Sequence, residues 1–554
     1  MDNKMRKKKE EFIVQKISSI REMTELAVTQ SPDEIAYRFK ENGGVRDVTY
    51  REFYDTTENL GAALCEMGCE RSHFAIISEN SYKWIVTFLT ALRTEGVFIP
   101  IDKELPEKDM AFLLNDSDTE VLFYSAKYES FVKENKDKLP NIKYFIGLDR
   151  EEDEDGLLSF DALIEKGKMI DKARYDALLS DENETKMIVY TSGTTGIAKG
   201  VMLTEHNSVS GIYYGMRVTH IYDTGLSVLP YNHTYESVCE ILVTIHHHTT
   251  LCINDSLKAV VKNMKIFHPS HIYLVPAFTD LFYANIMHNI KKQGKEKTFE
   301  KGIKIARAAL KLGIDLRPKL FKEIHETFGG RLRRIVCGGA PIRPEIGKFF
   351  DDIGISMTGG YGITECSPLV CVNDPDSNDF HTAGHRLECL EWRIDNPNEE
   401  GIGEICVKGD VVMKGYYKQP EKTAEVIKDG WFYTGDYGYI TKDDQLVITG
   451  RKKNLIVLNN GKNIYPEEIE NRILSVDYIK EVVVRGLKNE NGDEIALFAE
   501  TYLDEEASKT EEEVLADAQE KLKDLPVYKN VTKVVIRTEP FPKTTTNKIK
   551  RNQQ

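Results

Sequence analysis

The chain is predicted to be an α/β protein with a large N-terminal region of mixed and parallel sheets, a β subdomain, and a small α+β domain at its C-terminal end. Three observations carry that expectation. Short apolar runs alternate with helical patterns over most of the first 340 residues, the pattern of a largely parallel sheet. From residue 391 to 450 the pattern changes to short β runs separated by turns. Beyond residue 451 the last hundred or so residues read β-α-β-β-α-β, the size of a small domain. At 554 residues the chain exceeds what one core usually supports, so two domains are expected, 1–450 and 451–554.

Residues 21–28 carry a helical pattern. Residues 74–78 read as a buried strand, 81–93 as a helix, and 97–101, 121–125 and 144–148 as further short strands. The acidic stretch 150–156 reads as a loop. A strand over 186–190 feeds a Gly/Thr-rich turn, 209–318 mixes apolar stretches with a basic helical region, and 334–337 is a strand ending in Gly338-Gly339. Residues 403–408 and 446–449 are β runs of the subdomain. In the last domain 455–458, 481–484, 495–501 and 531–536 read as strands. Pro466 opens a helix, where its missing N–H costs nothing, and 511–522 is a second helix.

Composition narrows the class. Hydrophobic residues at 41% and charged residues at 29% are those of a soluble globular protein. The net charge of -15 supplies no global basic field for nucleic acid, so anionic ligands must be held by local features. Nine cysteines without a C-x-x-C pair read as reduced thiols in a cytoplasm. No apolar run approaches the roughly 18 residues of a membrane span. Lys7 to Lys9 ahead of Phe12-Ile13-Val14 reads either as a surface anchor or as the solvated start of an amphipathic helix, which leaves peripheral membrane contact open.

The segment Thr191-Ser192-Gly193-Thr194-Thr195-Gly196-Ile197-Ala198-Lys199-Gly200 comes directly after a strand. Its glycines permit close backbone approach, its hydroxyls and N–H groups can donate to phosphate oxygens, and Lys199 adds positive charge. It is not a Walker A loop: Gly196 stands three residues before Lys199, and Gly200 occupies the position where Ser or Thr is required. The segment resembles the phosphate-loop signature of the adenylate-forming acyl-CoA synthetase superfamily, the AMP-binding enzymes.

Six more segments resemble that superfamily's motifs, in its order, and the resemblance runs from about residue 25 to 551. Leu229-Pro230-Tyr231-Asn232-His233-Thr234-Tyr235-Glu236 is similar to its second motif, which implies His233 near the carboxylate and phosphates. Cys337-Gly338-Gly339-Ala340-Pro341 resembles its adenine-contacting turn. Gly359-Gly360-Tyr361-Gly362-Ile363-Thr364-Glu365 resembles its Y-G-x-T-E motif. There Tyr361 would stack on adenine, Thr364 would meet the α-phosphate and Glu365 would hold Mg2+. Magnesium commonly takes one or two carboxylates plus substrate phosphates. Tyr433-Thr434-Gly435-Asp436 resembles the ribose motif, with Asp436 as acceptor. Gly450-Arg451-Lys452-Lys453 resembles the hinge, with Arg451 on the ribose and Lys453 as pivot. Lys543-Thr544-Thr545-Thr546-Asn547-Lys548-Ile549-Lys550 resembles the C-terminal motif, with Lys548 as catalytic lysine. Asn547 stands where the family has glycine; asparagine is among the residues that best tolerate positive φ.

The resemblance implies an enzyme with ATP and coenzyme A as co-substrates and Mg2+ as cofactor. The small C-terminal domain would be mobile, swinging about Lys453 and bringing the Gly461 loop to line a thiol tunnel. Residues 299–341 look like the long-chain fatty acid branch. The stretch Val238, Cys239, Ile241, Leu242, Val243 and Ile245 would wall an acyl tunnel, with Gly360 keeping its entrance open. Three alternatives remain open: another carboxylic acid, a carrier-protein thiol as acceptor, and an inactive nucleotide-binding homologue. The run His246-His247-His248 reads as helix surface or pocket edge, because no Cys or carboxylate has ligand spacing nearby.

Overall fold

A computed structural model describes residues 14–179, 181–191, 198–375, 378–489, 492–504, 506–543 and 549–551. The strands His73–Ile77, Val97–Pro100, Val121–Tyr124 and Tyr144–Gly147 are apolar but for His73 and almost wholly buried, as strands covered on both faces must be. They form the parallel centre of an eight-stranded sheet, which continues through Thr185–Thr191 to the antiparallel strand Lys199–Thr204 and the edge strand Gly415–Tyr416. The helix Tyr82–Leu92 is buried from Trp84 onward, and Ser81 caps it by accepting the Trp84 N–H at 3.1 Å.

A nine-stranded sheet carries the rest of the first unit. Its parallel centre runs Ser356–Gly362, Arg334–Cys337, His271–Leu274, Thr224–Ser227, Thr250–Ile253 and Ile35–Glu41. The hairpin partner Gly44–Thr49 closes one edge, and Leu369–Val372 and His385–Arg386 turn antiparallel at the other. The helix Glu205–Val218 starts from a reciprocal capping box between Thr204 and Asn207. The basic stretch within 209–318 resolves into the helices Val260–Phe267, Pro276–Lys292 and Glu296–Lys311.

The chain divides into two compact units, the second made of His381–Ala383, Trp392–Val407 and Trp431–Gln554. The expected boundary at Gly450 lies inside this second unit. The reason is the strand Leu446–Arg451, which hydrogen-bonds along Trp431–Ile440 and ties the β subdomain to the residues beyond Arg451. Downstream, Ile479–Lys488, Glu494–Leu503 and Val531–Ile536 form a three-stranded sheet packed by the helices Pro466–Ile473 and Glu511–Leu522 around a shared apolar core. The first strand expected there, 455–458, does not join that sheet. Among the described residues Ile456–Val457 pairs only with Asn463–Ile464, because the turn at Gly461 folds the chain straight back on itself.

Candidate active site

The strand Arg334–Cys337 ends at Gly338-Gly339, and Gly339 adopts a φ of +83°, a left-handed value that favours glycine. The next strand in the sheet, Ser356–Gly362, carries Gly360 and Tyr361 close to its C-terminal end. Neighbouring parallel strands that end together leave a crevice at their C-terminal edge. Here Gly338, Gly339, Gly360 and Tyr361 line one cavity of about 110 Å³. Its walls come from Gly211, Gly215 and Met216 of one helix, from Val238, Cys239 and Val243 of another, and from Leu369 and Val372. The lining is mostly apolar. Tyr235 stands at its edge and donates to the Val336 carbonyl at 3.1 Å. Of the six residues expected to wall an acyl tunnel, Val238, Cys239 and Val243 face the cavity. Ile241, Leu242 and Ile245 are buried but do not line it. The turn is wound as a π-helix over Ser237–Leu242, so apolar residues adjacent in sequence divide between cavity and core.

The phosphate segment opens at Thr191, the last residue of its strand, and resumes at Lys199, which pairs directly across from it. Ser192, Gly193, Thr194 and Thr195 lie outside the described residues. The Lys199 ammonium sits 4.8 Å from the centre of the Tyr416 ring, a cation–π distance, and the Tyr416 hydroxyl donates to Glu365 Oε1 at 3.0 Å. Burial first, and the Glu365 carboxylate second, push the Tyr416 phenol well above its ordinary range, so it stays protonated and donating. No sequence motif singles out Tyr416. Its only signal is the short run Gly415-Tyr416-Tyr417, and its importance comes from pairing with Val201 beside the phosphate segment. Thr364 and Glu365 begin a single 3-10 turn just beyond Tyr361, and both are half-buried. Ala340 is exposed beyond the Gly338-Gly339 turn. His233 caps the short helix Thr234–Glu236 and is half-buried.

A buried carboxyl pair lies on the helix after His233. Glu236 and Glu240 are both fully buried, one turn apart. Burial raises each above the carboxylate range; the Glu236 charge raises Glu240 further, while a hydrogen bond from Glu240 partly offsets the effect of burial on Glu236. His246 is largely buried and bonds the Gln15 carbonyl through Nε2 at 2.7 Å, and with His248 it lines a small pocket beside the N-terminal segment, so the run is a pocket edge and not helix surface.

In the second unit, Asp436 and Arg451 are cross-strand partners joined by an ion pair of 2.9 Å, with Asp436 buried and Arg451 exposed. Glu404, also absent from the sequence expectations, accepts the Gly435 N–H at 3.2 Å and the Lys452 ammonium at 2.6 Å, and so holds the turn that presents Asp436. Lys453 lies in the 3-10 turn Lys452–Asn454. Gly461 has a φ of +78° at the tip of its hairpin. Lys548 and Asn547 lie outside the described residues. The flanking Lys543 and Ile549 pair antiparallel, and the Arg485 guanidinium donates to the Arg551 carbonyl at 2.8 Å.

The profile of the AMP-binding enzyme family matches residues 24–417. A long-chain-fatty-acid–CoA ligase of Mycobacterium bovis, FadD15, is 28% identical over 477 residues, spanning 82% of this chain and 78% of that protein. Among solved structures, the anthranilate CoA ligase AuaEII in complex with anthranoyl-AMP superposes with a TM-score of 0.78 at 17% identity over 96% of each chain. A Mycobacterium tuberculosis fatty acyl CoA synthetase does so with a TM-score of 0.66 at 22% identity, again over 96% of each chain.

Proposed function

The chain belongs to the AMP-binding enzyme family, and from that premise we propose that it activates a long-chain fatty acid as acyl-AMP and transfers the acyl group to coenzyme A. The observation that carries this reading is the apolar cavity reached from Gly338, Gly339 and Tyr361. In this family that turn and that aromatic ring meet adenine, so an apolar chain entering from the same edge would place its carboxylate beside the nucleotide.

Both reactants are anions, and the protein must neutralise and align them. A carboxylate oxygen attacks the α-phosphorus, the bond to the β-phosphate oxygen breaks, and pyrophosphate leaves. Tyr361 and the Gly338–Gly339 backbone hold adenine, and Asp436 and Arg451 hold ribose. Lys199, the hydroxyls of the 191–195 segment and Thr364 donate to phosphate oxygens, while His233 and Lys548 serve the carboxylate. Glu365 suits Mg2+, because it is a half-buried carboxylate oriented by Tyr416 that leaves other positions to phosphate oxygens. When bound, the ion offsets phosphate charge. In the second half-reaction the coenzyme A sulfur attacks the acyl carbon and AMP leaves. Residues beyond Gly450 move about Lys453, withdrawing Lys548 and bringing in the Gly461 loop.

None of the nine cysteines forms a disulfide, which supports a reducing compartment, and we place the enzyme in the cytoplasm. Among the described residues no helix is long and apolar enough to cross a membrane. Pyrophosphate release with a panel of acids, then thioester formation, tests the assignment. Acids of roughly 12 to 18 carbons should exceed acetate by about 10²-fold or more in kcat/KM, at about 0.8 kcal/mol per buried CH₂. A preference for acetate, benzoate or an amino acid would overturn the long-chain reading and leave adenylation standing. Transfer to a carrier protein but not to coenzyme A would overturn the acceptor.

A further inference from the structure

A long basic stretch lies outside the residues assigned to the site. Residues 291–322 hold eleven Lys and Arg against three Asp and Glu, a net charge of +8 in a chain whose total is -15. The helix Glu296–Lys311 forms the middle of this stretch. It packs inward on Ala306, with Phe299 and Ile303 against the apolar core, so its opposite side faces solvent. With successive residues about 100° apart, Lys297, Lys301, Lys304 and Lys311 fall on that outer side, and all four are exposed. Among the described residues none of the four makes an ion pair, whereas Arg307, on the flank, is tied to Asp352. Exposed apolar side chains run beside the lysines: Ile305 is 42% exposed, Leu312 75% and Ile314 53%.

We propose that the outer side of helix Glu296–Lys311, with the Leu312–Ile314 turn, is a docking surface for an anionic lipid bilayer. The charge complements anionic headgroups, and the interleaved isoleucine and leucine side chains can enter the boundary between headgroups and acyl chains. A nucleic acid would be met by the lysines alone and gains little from exposed leucine, so the apolar residues favour lipid. The inference does not depend on which acid the enzyme activates.

The test is flotation of the full chain with vesicles of phosphatidylcholine alone, or with about one-third phosphatidylglycerol. Binding should require phosphatidylglycerol and weaken as salt rises from about 0.05 to 0.5 M. The triple variant Lys297→Gln, Lys301→Gln, Lys304→Gln should lower the partition coefficient roughly 100-fold, at about fivefold per lysine. Leu312→Ser with Ile314→Ser should weaken binding about tenfold or more with all charges kept. Both variants should keep wild-type pyrophosphate release with a water-soluble acid, which shows that they fold. Equal binding to neutral vesicles, or unchanged binding by the triple variant, would overturn the proposal. So would loss of binding only in Lys7→Gln, Lys8→Gln, Lys9→Gln, or heparin capture that ignores the Leu312 and Ile314 changes.

Discussion

Gly215 offers a direct way to shorten the cavity. It lies on the helix Glu205–Val218 and lines the wall, and a Cβ built there would stand 3.2 Å from Leu369 Cδ2. That atom is the end of a flexible side chain that also lines the cavity, so Gly215→Val should push Leu369 inward and leave the backbone in place. Valine is not a worse helix former than glycine, so the helix should survive. The isopropyl group occupies the room of about three methylenes, worth about 2.4 kcal/mol at 0.8 kcal/mol each, or roughly 60-fold in kcat/KM. The assay is kcat/KM for acids of increasing length, with thermal unfolding as a control. The longest acids accepted by the wild type should lose roughly 60-fold, while acids of about six carbons should be unaffected. An equal loss at every length in a stably folded variant, or an unchanged length profile, would refute the placement of the acyl chain.

Lys548→Ala should lose pyrophosphate release by roughly 10²-fold or more yet still convert supplied acyl-adenylate to thioester; equal failure of both half-reactions in a folded protein would show the role to be misassigned. Lys453→Pro restricts φ and should leave adenylation near normal while slowing thioester formation, so equal losses would sink the pivot. Tyr416→Phe removes the donor to Glu365 and should lower kcat/KM for ATP by about tenfold or more, and an unchanged value would mean that the bond does not orient the carboxylate. Glu236 and Glu240 keep protons in the folded state that the unfolded chain releases near pH 4.5, so their contribution to stability is present in acid and is lost as pH rises above that value. The loss is up to about 1.4 kcal/mol per pH unit for each carboxyl. Urea unfolding of Glu240→Gln from pH 5 to 8 should show a flatter decline than the wild type, whereas parallel curves would contradict the shared burial.

The strands that read most clearly from sequence are the apolar ones buried on both faces. Residues 334–337 are such a strand and read correctly to the residue; 531–536, partly exposed at Thr532 and Lys533, also reads correctly because of its Val and Ile content. Harder to read are elements whose reason lies in a distant partner. The strand Lys199–Thr204 is polar at both ends and is held by pairing with Thr185–Thr191 and with Tyr416, more than two hundred residues later in the chain. Tyr416 and Glu404 escape sequence reasoning for the same cause: each works through a contact that no local spacing encodes. The apolar run after His233 is legible as wall or core. Which residues do which depends on a π-helical turn, and helical periodicity cannot anticipate that. The Gly338-Gly339 turn is legible because glycine pairs at strand ends have a backbone reason, and Gly339 does adopt a positive φ.

The central claim is that this chain makes an acyl-adenylate. The most direct measurement mixes the enzyme with ATP labelled at the α-phosphate, Mg2+ and a long-chain acid, without coenzyme A, and analyses the acid-quenched mixture. The account predicts acid-dependent formation of enzyme-bound acyl-AMP matched by pyrophosphate, and its conversion to acyl-CoA and AMP when coenzyme A is added. Formation of ADP and phosphate, or no nucleotide turnover with any acid tried, would contradict it.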